Sequence, residues 1–228
     1  MRSTIFRRLA GTVLVTAFTA ACSDQGPEAT GDIDITMQQT DAILAQVVGD
    51  WSASIVGAGA AMVQISPDTV EHLAIRITTI EMLPQGRDEA ESGAWVTLEL
   101  GSPVIIDLTD LPTEAESPLV IASGTVEVGD YANIRLFTDS AAIRFAGPIS
   151  LGAAEDFNPG VAYLVDIPSG DQTGINTDIT FTVEADADGT ENDVGLLFNA
   201  GSTFQNVSAT GTGGVMLTPV IHKRGDGS

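Results

Sequence analysis

Along most of the chain, apolar and polar residues alternate with a period of two. Leu73, Ile75 and Ile77 share one parity in VEHLAIRITTIEML, and Ile80 and Met82 share the other. Successive side chains of a strand point to opposite faces, so this change of parity predicts one extra residue, a β-bulge at Thr78-Thr79, that keeps both halves turned to one core. The same alternation predicts strands over 95–100, 104–108, 120–126, 131–137, 161–167, 179–183, 194–198 and 215–221. Turn chemistry stands between nearly all of them: Gly101-Ser102-Pro103, Pro112, Pro118, Val128-Gly129-Asp130, Gly147-Pro148, Pro159-Gly160, Pro168, Gly189, Gly201 and Gly213-Gly214. Many short strands separated in this way read as an all-β, antiparallel sandwich or barrel.

Two stretches break the pattern. Residues 41–65 are rich in Ala and Gly, and Ile43/Val47 and Leu44/Val48 have helical spacing behind Asp41, a candidate N-cap; one short helical segment is expected there. The first 21 residues have a different logic. Arg2, Arg7 and Arg8 precede the apolar run LAGTVLVTAF, and small residues lead to Cys22. That is the layout of a secretory signal peptide, and the run is too short to span a bilayer, which takes roughly 18 apolar residues. The string Thr19-Ala20-Ala21-Cys22 resembles the lipobox of bacterial lipoproteins, although Leu is usual where this chain has Thr19. The resemblance implies cleavage before Cys22 and a thioether-linked diacylglycerol on its sulfur. One acyl chain holds a protein to a bilayer only marginally, whereas two or three hold it stably. Residues 22–31 then read as lipidated cysteine and polar tether, 32–224 as a single domain, and 225–228 as a disordered tail.

Charge narrows the partners. Arg2, Arg7 and Arg8 are three of nine basic residues, so the remainder carries six against 31 acidic ones. Such a surface repels nucleic acid and anionic headgroups. A hydrophobic fraction of 43% argues against disorder all the same. Cys22 is the only cysteine, so no disulfide within the chain supports the core.

Candidate chemistry is sparse. No Gly-x-Ser-x-Gly elbow occurs, and His72 and His222 read as partly exposed strand residues without the clustered ligands of a zinc site. Gly57-Ala58-Gly59 lacks the third glycine of a dinucleotide fingerprint. Glu184-Ala185-Asp186-Ala187-Asp188-Gly189 has acids at alternate positions before a glycine, like the start of an EF-hand loop, but Gly195 stands where the bidentate Glu belongs. It reads first as a solvated hairpin and second as a weak calcium site built from Glu184, Asp186, Asp188 and Asp193. In Gly129-Asp130-Tyr131, the glycine suits a positive φ and the tyrosine suits a corner in which its hydroxyl returns to backbone across the turn. Arg135 shares the face of Tyr131 by period two and is expected to pair with an acid.

The punctuation of the strand ladder resembles the bacterial lipoprotein family known as domain of unknown function number 4382. The stations are Ile80-Glu81-Met82, the strand at Trp95, Asp107-Leu108 with Leu111, the run Gly129-Asp130-Tyr131-Ala132-Asn133-Ile134-Arg135-Leu136, and Pro168-Ser169-Gly170-Asp171-Gln172-Thr173-Gly174. Phe198-Asn199-Ala200 and Leu217-Thr218-Pro219-Val220-Ile221 close the series. The family usually has Asp where this chain has Asn199, and the Ala/Gly stretch after Asp41 is long. The resemblance implies a lipoprotein with an immunoglobulin-like or prealbumin-like sandwich and no established activity. The expected function is a non-enzymatic binding or structural module of the cell envelope, tied to the lipid bilayer through Cys22 and presented to a polysaccharide or protein. The alternative is an envelope carbohydrate hydrolase using a carboxylate pair. Ser23, in place of the Asp that retains some lipoproteins at the inner membrane, favours the outer membrane.

Overall fold

The computed structural model describes residues 29–40, 63–151, 156–168, 170–185 and 192–225. In chain order the elements are β1 (Thr30–Gln39), a 3-10 turn (Pro67–Thr69), β2 (Val70–Pro84), β3 (Val96–Leu98), β4 (Val104–Asp107), β5 (Leu119–Glu127) and β6 (Gly129–Phe145). There follow β7 (Ile149–Ser150), β8 (Asp156–Phe157), β9 (Ala162–Asp166), β10 (Ile175–Thr177), β11 (Phe181–Val183) and β12 (Asn192–Phe198). The chain closes with α1 (Ala200–Thr203), β13 (Ser208–Ala209), β14 (Val215–Met216) and β15 (Ile221–Lys223).

Among the described residues these strands make a four-stranded sheet, β15-β12-β1-β5, and a nine-stranded sheet built on β6 and β2, with a small β7-β8 ribbon beside them. The two large sheets form a sandwich, not a barrel. Most pairings are antiparallel, but β1 runs parallel to β12 and β14 parallel to β9. The alternation seen in the sequence explains the stacking. Ile33, Ile35 and Met37 of β1 and Val194, Leu196 and Phe198 of β12 turn inward from one sheet. Leu73, Ile75, Ile134, Leu136, Ile143 and Phe145 turn inward from the other. Each such side chain contributes roughly 1.5–3 kcal/mol by leaving water.

The parity change in β2 is a bulge, and β6 carries its mirror. Arg76 faces Ser140, Ile77 faces Thr138 and Thr79 faces Phe137, so Thr78 on one strand and Asp139 on the other stand without an opposite number. Burial changes parity on both strands at this point: Ile75 and Ile77 give way to Ile80 and Met82, while Ile134, Leu136 and Thr138 give way to Ala141, Ile143 and Phe145. Paired bulges thus carry two long strands through a bend with Ile80, Met82, Ile143 and Phe145 still inside. This is why β6 continues to Phe145 when the alternation alone ended it at Phe137.

Other differences also have local causes. The strand expected over 215–221 is split, because Pro219 has no N–H to give to a ladder. The expected helix lies outside the described residues over 41–62, and the end of that stretch is extended: Val63 pairs with Val207, and Ile65 donates to the Phe204 carbonyl. A short helix appears instead at α1, where Asn199 accepts from the Ser202 N–H at 2.9 Å. Asn and Asp cap a helix equally well, so the departure at this position keeps its role. β1 begins at Thr30 and not after the expected tether boundary, since Thr30 and Gly31 already pair with Glu127 and Val126.

Candidate functional site

The corner between β5 and β6 carries the chain from one sheet to the other. Gly129 takes a φ of 155°, and the Val128 N–H donates to the Ala29 carbonyl at 2.9 Å. Tyr131 is 2% exposed, and its hydroxyl donates to the Glu127 carbonyl at 2.9 Å. Its ring stacks on Phe181 of β11 with centroids 5.1 Å apart and 8° between the planes. Burial, together with the charge of Glu127, pushes the phenol above its ordinary pKa. The tyrosine therefore fastens both sheets at this corner.

Arg135 lies on the outer face of β6, directly opposite Glu81 of β2, and does not share a face with the buried Tyr131 as its spacing predicts, because the ladder to β2 skips Ala132 between them. Its guanidinium approaches the Glu81 carboxylate at 2.5 Å and sits 3.9 Å from the Trp95 ring centroid and 5.0 Å from that of Phe137. Trp95 in turn donates its indole N–H to the Glu89 carbonyl at 3.2 Å. The stack pins the segment between β2 and β3 over the sheet. Charge, cation–π contact and packing act on one guanidinium here.

The remaining charged residues on this face form pairs that sequence reading did not connect. His72 Nδ1 lies 2.5 Å from Asp107 Oδ2, bridging β2 and β4, and His72 Nε2 lies 3.8 Å from Glu71. Glu71 also meets Arg144 of β6 at 2.9 Å. Burial pushes the Asp107 carboxyl up, but bonds from the Thr109 hydroxyl, His72 and the Thr109 and Leu73 N–H groups outweigh it and hold the pKa below the ordinary value. Asp139, the bulged residue of β6, pairs with Arg76. The Gly170–Gly174 segment closes over that bulge: the Thr138 N–H donates to the Gly170 carbonyl at 3.0 Å, and a shallow cavity of about 180 Å³ remains between Asp139, Ser140, Asp166 and Asp171. Period-two parity cannot find these pairs, because Glu71 and His72 are neighbours in sequence and Arg76 and Glu81 lie on opposite sides of the bulge.

The acids considered for calcium are only partly described. Asp186 and Asp188 lie outside the described residues, as does Cys22. Glu184 is exposed, and the Asn192 side chain closes the neck of its loop by accepting from the Glu184 N–H at 2.9 Å and donating to the Asp32 carbonyl at 2.7 Å. Both carboxylate oxygens of Asp193 are engaged: Thr36 donates to one at 2.7 Å, and Arg224 holds the other at 2.6 Å. Ligation by Asp193 would compete with that ion pair. Arg224 crosses the four-stranded sheet over Gly195, where a Cβ would come within 2.7 Å of its side chain, and reaches the buried Gln38 at 3.2 Å. His222 is exposed on β15.

No curated protein and no solved structure gives a significant match to the chain. The family model described as Domain of unknown function (DUF4382) matches residues 60–219, a span that takes in the Tyr131 corner, the Arg135 stack, the paired bulges and the Gly170–Gly174 clasp but not β1. With well over half of its length inside that match, the chain belongs to the DUF4382 family.

Proposed function

We propose that this protein is an envelope lipoprotein, anchored through an acylated Cys22, whose sandwich is a binding or structural module and not an enzyme. The observation that carries the non-enzymatic half is how its ionisable groups are used. Glu71, Asp107, Glu81, Asp139 and Asp193 each meet a cationic or histidine partner, most of them on a neighbouring strand. A general acid or base needs a carboxyl group free to exchange its proton with substrate. Here the carboxylates serve to hold strands in register.

The leader pattern and the tether support the anchor. Seven residues separate Cys22 from Thr30, eight steps along the chain and a reach of at most ~29 Å. The end of the sandwich that holds Ala29 and the Val128 corner would therefore stay close to the bilayer, with the loops of the opposite end directed away. Ser23 favours the outer membrane. Cell fractionation of Cys22→Ser tests the anchor: the variant should leave the membrane fraction or accumulate as uncleaved precursor, and a cleaved variant still in the membrane would refute it. Release of reducing ends from envelope glycans by the purified chain would overturn the non-enzymatic half.

A further inference from the structure

We infer that the outer edge of β5 receives an extended segment of a partner protein bearing Lys or Arg at alternate positions, which adds to the sheet as a fifth strand. This deepens the binding-module reading by naming the surface and the chemistry of the partner. It is independent of the anchor.

The first ground is the edge itself. β5 is nine residues long and ends its sheet, pairing with β1 on one side only. Among the described residues, Leu119 to Val126 make no backbone hydrogen bond beyond the β1 ladder. Edge strands of soluble proteins are usually kept short, or guarded by Lys, Pro or an inward charge, because their unpaired N–H and C=O groups are a template for another strand. Leu-Val-Ile-Ala-Ser-Gly-Thr-Val-Glu has no Lys, Pro or inward charge before its final residue; its one guard is a bulge at Ile121, beyond which Ala122 to Glu127 run in unbroken register with β1. Leu119 and Val120 are 43% and 50% exposed at its start.

The second ground is charge. Asp34 and Asp32 lie on the outer face of β1, opposite Ser123 and Thr125 of β5, around a depression of about 320 Å³. Asp32 accepts from the Thr125 hydroxyl at 2.7 Å. Asp34 meets no cation among the described residues, and Arg224, which crosses this sheet, is engaged by Asp193 and Gln38. A strand added to β5 would lie about 10 Å from β1, two strand spacings away. From there, a long cationic side chain passes over the small Ser123 and Thr125 and ends at the two carboxylates. A second copy of this chain would meet the edge less well, since every copy brings the same excess of acid, 31 acidic residues against nine basic ones. Main-chain pairing would supply affinity, and the alternate cations would supply selection.

The test is fluorescence anisotropy of the full mature chain in detergent with a labelled nine-residue peptide of alternating Lys and Val or Thr. Saturable binding is expected, with none for the Glu counterpart. N-methylation of alternate amides along one edge of the peptide should weaken binding at least tenfold, and along the other edge leave it unchanged, because only one edge faces β5. Asp32→Asn/Asp34→Asn should weaken binding about fivefold to tenfold at low salt, the loss of two exposed ion pairs. Diffuse attraction to an acidic protein predicts equal binding by both N-methylated peptides, and that result would overturn the inference. So would a concentration-dependent dimer of the chain that excludes the peptide. Absence of peptide binding would remove this surface while leaving the anchored module intact, since fractionation of Cys22→Ser reports on the anchor alone.

Discussion

Replacing Tyr131 by Phe removes one oxygen from the corner where the two sheets join and leaves the ring where it was. The stack on Phe181 and the burial are kept, so the change isolates the bond from the hydroxyl to the Glu127 carbonyl. A hydrogen bond of this kind is worth about 0.5–1.5 kcal/mol net, and leaving its partner unsatisfied in a dry site raises the cost to about 1–3 kcal/mol. Glu127 is exposed, so water reaches the neighbourhood of the abandoned carbonyl, and the lower part of that range applies, about 1–1.5 kcal/mol. For a domain of this size each kcal/mol moves the melting temperature by about 2–4 °C. Tyr131→Leu should cost more, because it also forfeits the ring stack, worth about 0.5–1.5 kcal/mol beyond the area it buries.

A pH series separates the bond from a general packing defect. The folded-state pKa of Tyr131 is raised, so the folded protein holds the phenolic proton more tightly than the unfolded chain does. That preference is fully present below the unfolded value of about 10 and is lost as pH rises through the folded value. The native chain should therefore lose stability above pH 10 by a route that Tyr131→Phe lacks, and the gap between them should narrow from pH 7 to pH 11. Thermal melts followed by circular dichroism give both numbers. An unchanged melting temperature at neutral pH would show that the hydroxyl contributes nothing. A gap constant through alkaline pH would show that the proton is not held as the burial of Tyr131 requires.

Two further predictions concern packing. Arg135→Ala leaves Glu81, 19% exposed, without its counter-charge and strips the cation from beneath Trp95; about 2–3 kcal/mol should be lost in urea unfolding, with Trp fluorescence shifted to the red. Arg135→Lys restores charge but not the planar stack and should recover less than half of that loss, so full recovery would reduce the site to simple charge pairing. Gly31→Ala places a Cβ 2.1 Å from the Glu184 carbonyl oxygen, a backbone atom, and should cost about 1–3 kcal/mol. Gly195→Ala meets the Arg224 side chain, whose guanidinium can swing aside but whose Cβ, 2.8 Å away, must shift with its backbone, and should cost less than Gly31→Ala, about 1–2 kcal/mol. The reverse order of these two midpoints would contradict the packing.

Much of this architecture could be read from the sequence because a buried strand leaves a period that nothing else in a polar chain imitates. The bulge at Thr78-Thr79 announced itself as a change of parity in β2, and the Tyr131 corner as glycine and tyrosine at a turn. The continuation of β6 was equally present, in Ala141, Ile143 and Phe145, but Asp139 interrupts it. A single bulged residue looks like a strand end until its partner strand is known to bulge beside it. Gly31 shows the opposite failure. In a run of small polar residues it reads as tether, yet it is buried against the Glu184 carbonyl, because what fixes it is a contact 153 positions along the chain. The two-residue strands β7, β8, β13 and β14 are too short for any period to show.

Charge was legible only as a total, and the total conceals how the charges are shared out. With so few cations among so many acids, the informative quantity is which acid each cation takes. Arg76, Arg135 and Arg144 all lie on β2 or β6, and each pairs with an acid on the other of these two strands: Asp139, Glu81 and Glu71. The cations are thus concentrated where the bulged strands most need their register fixed. Arg224 goes to Asp193 and Gln38 and closes the end of the chain onto the second sheet. None of these four reaches Asp34, which stands one strand from the bare edge of β5. A chain that needed only solubility could leave its unpaired acids anywhere on its surface. Here an acid without a counter-charge sits beside the regular half of an open edge, past its bulge at Ile121, and a cationic strand answers both.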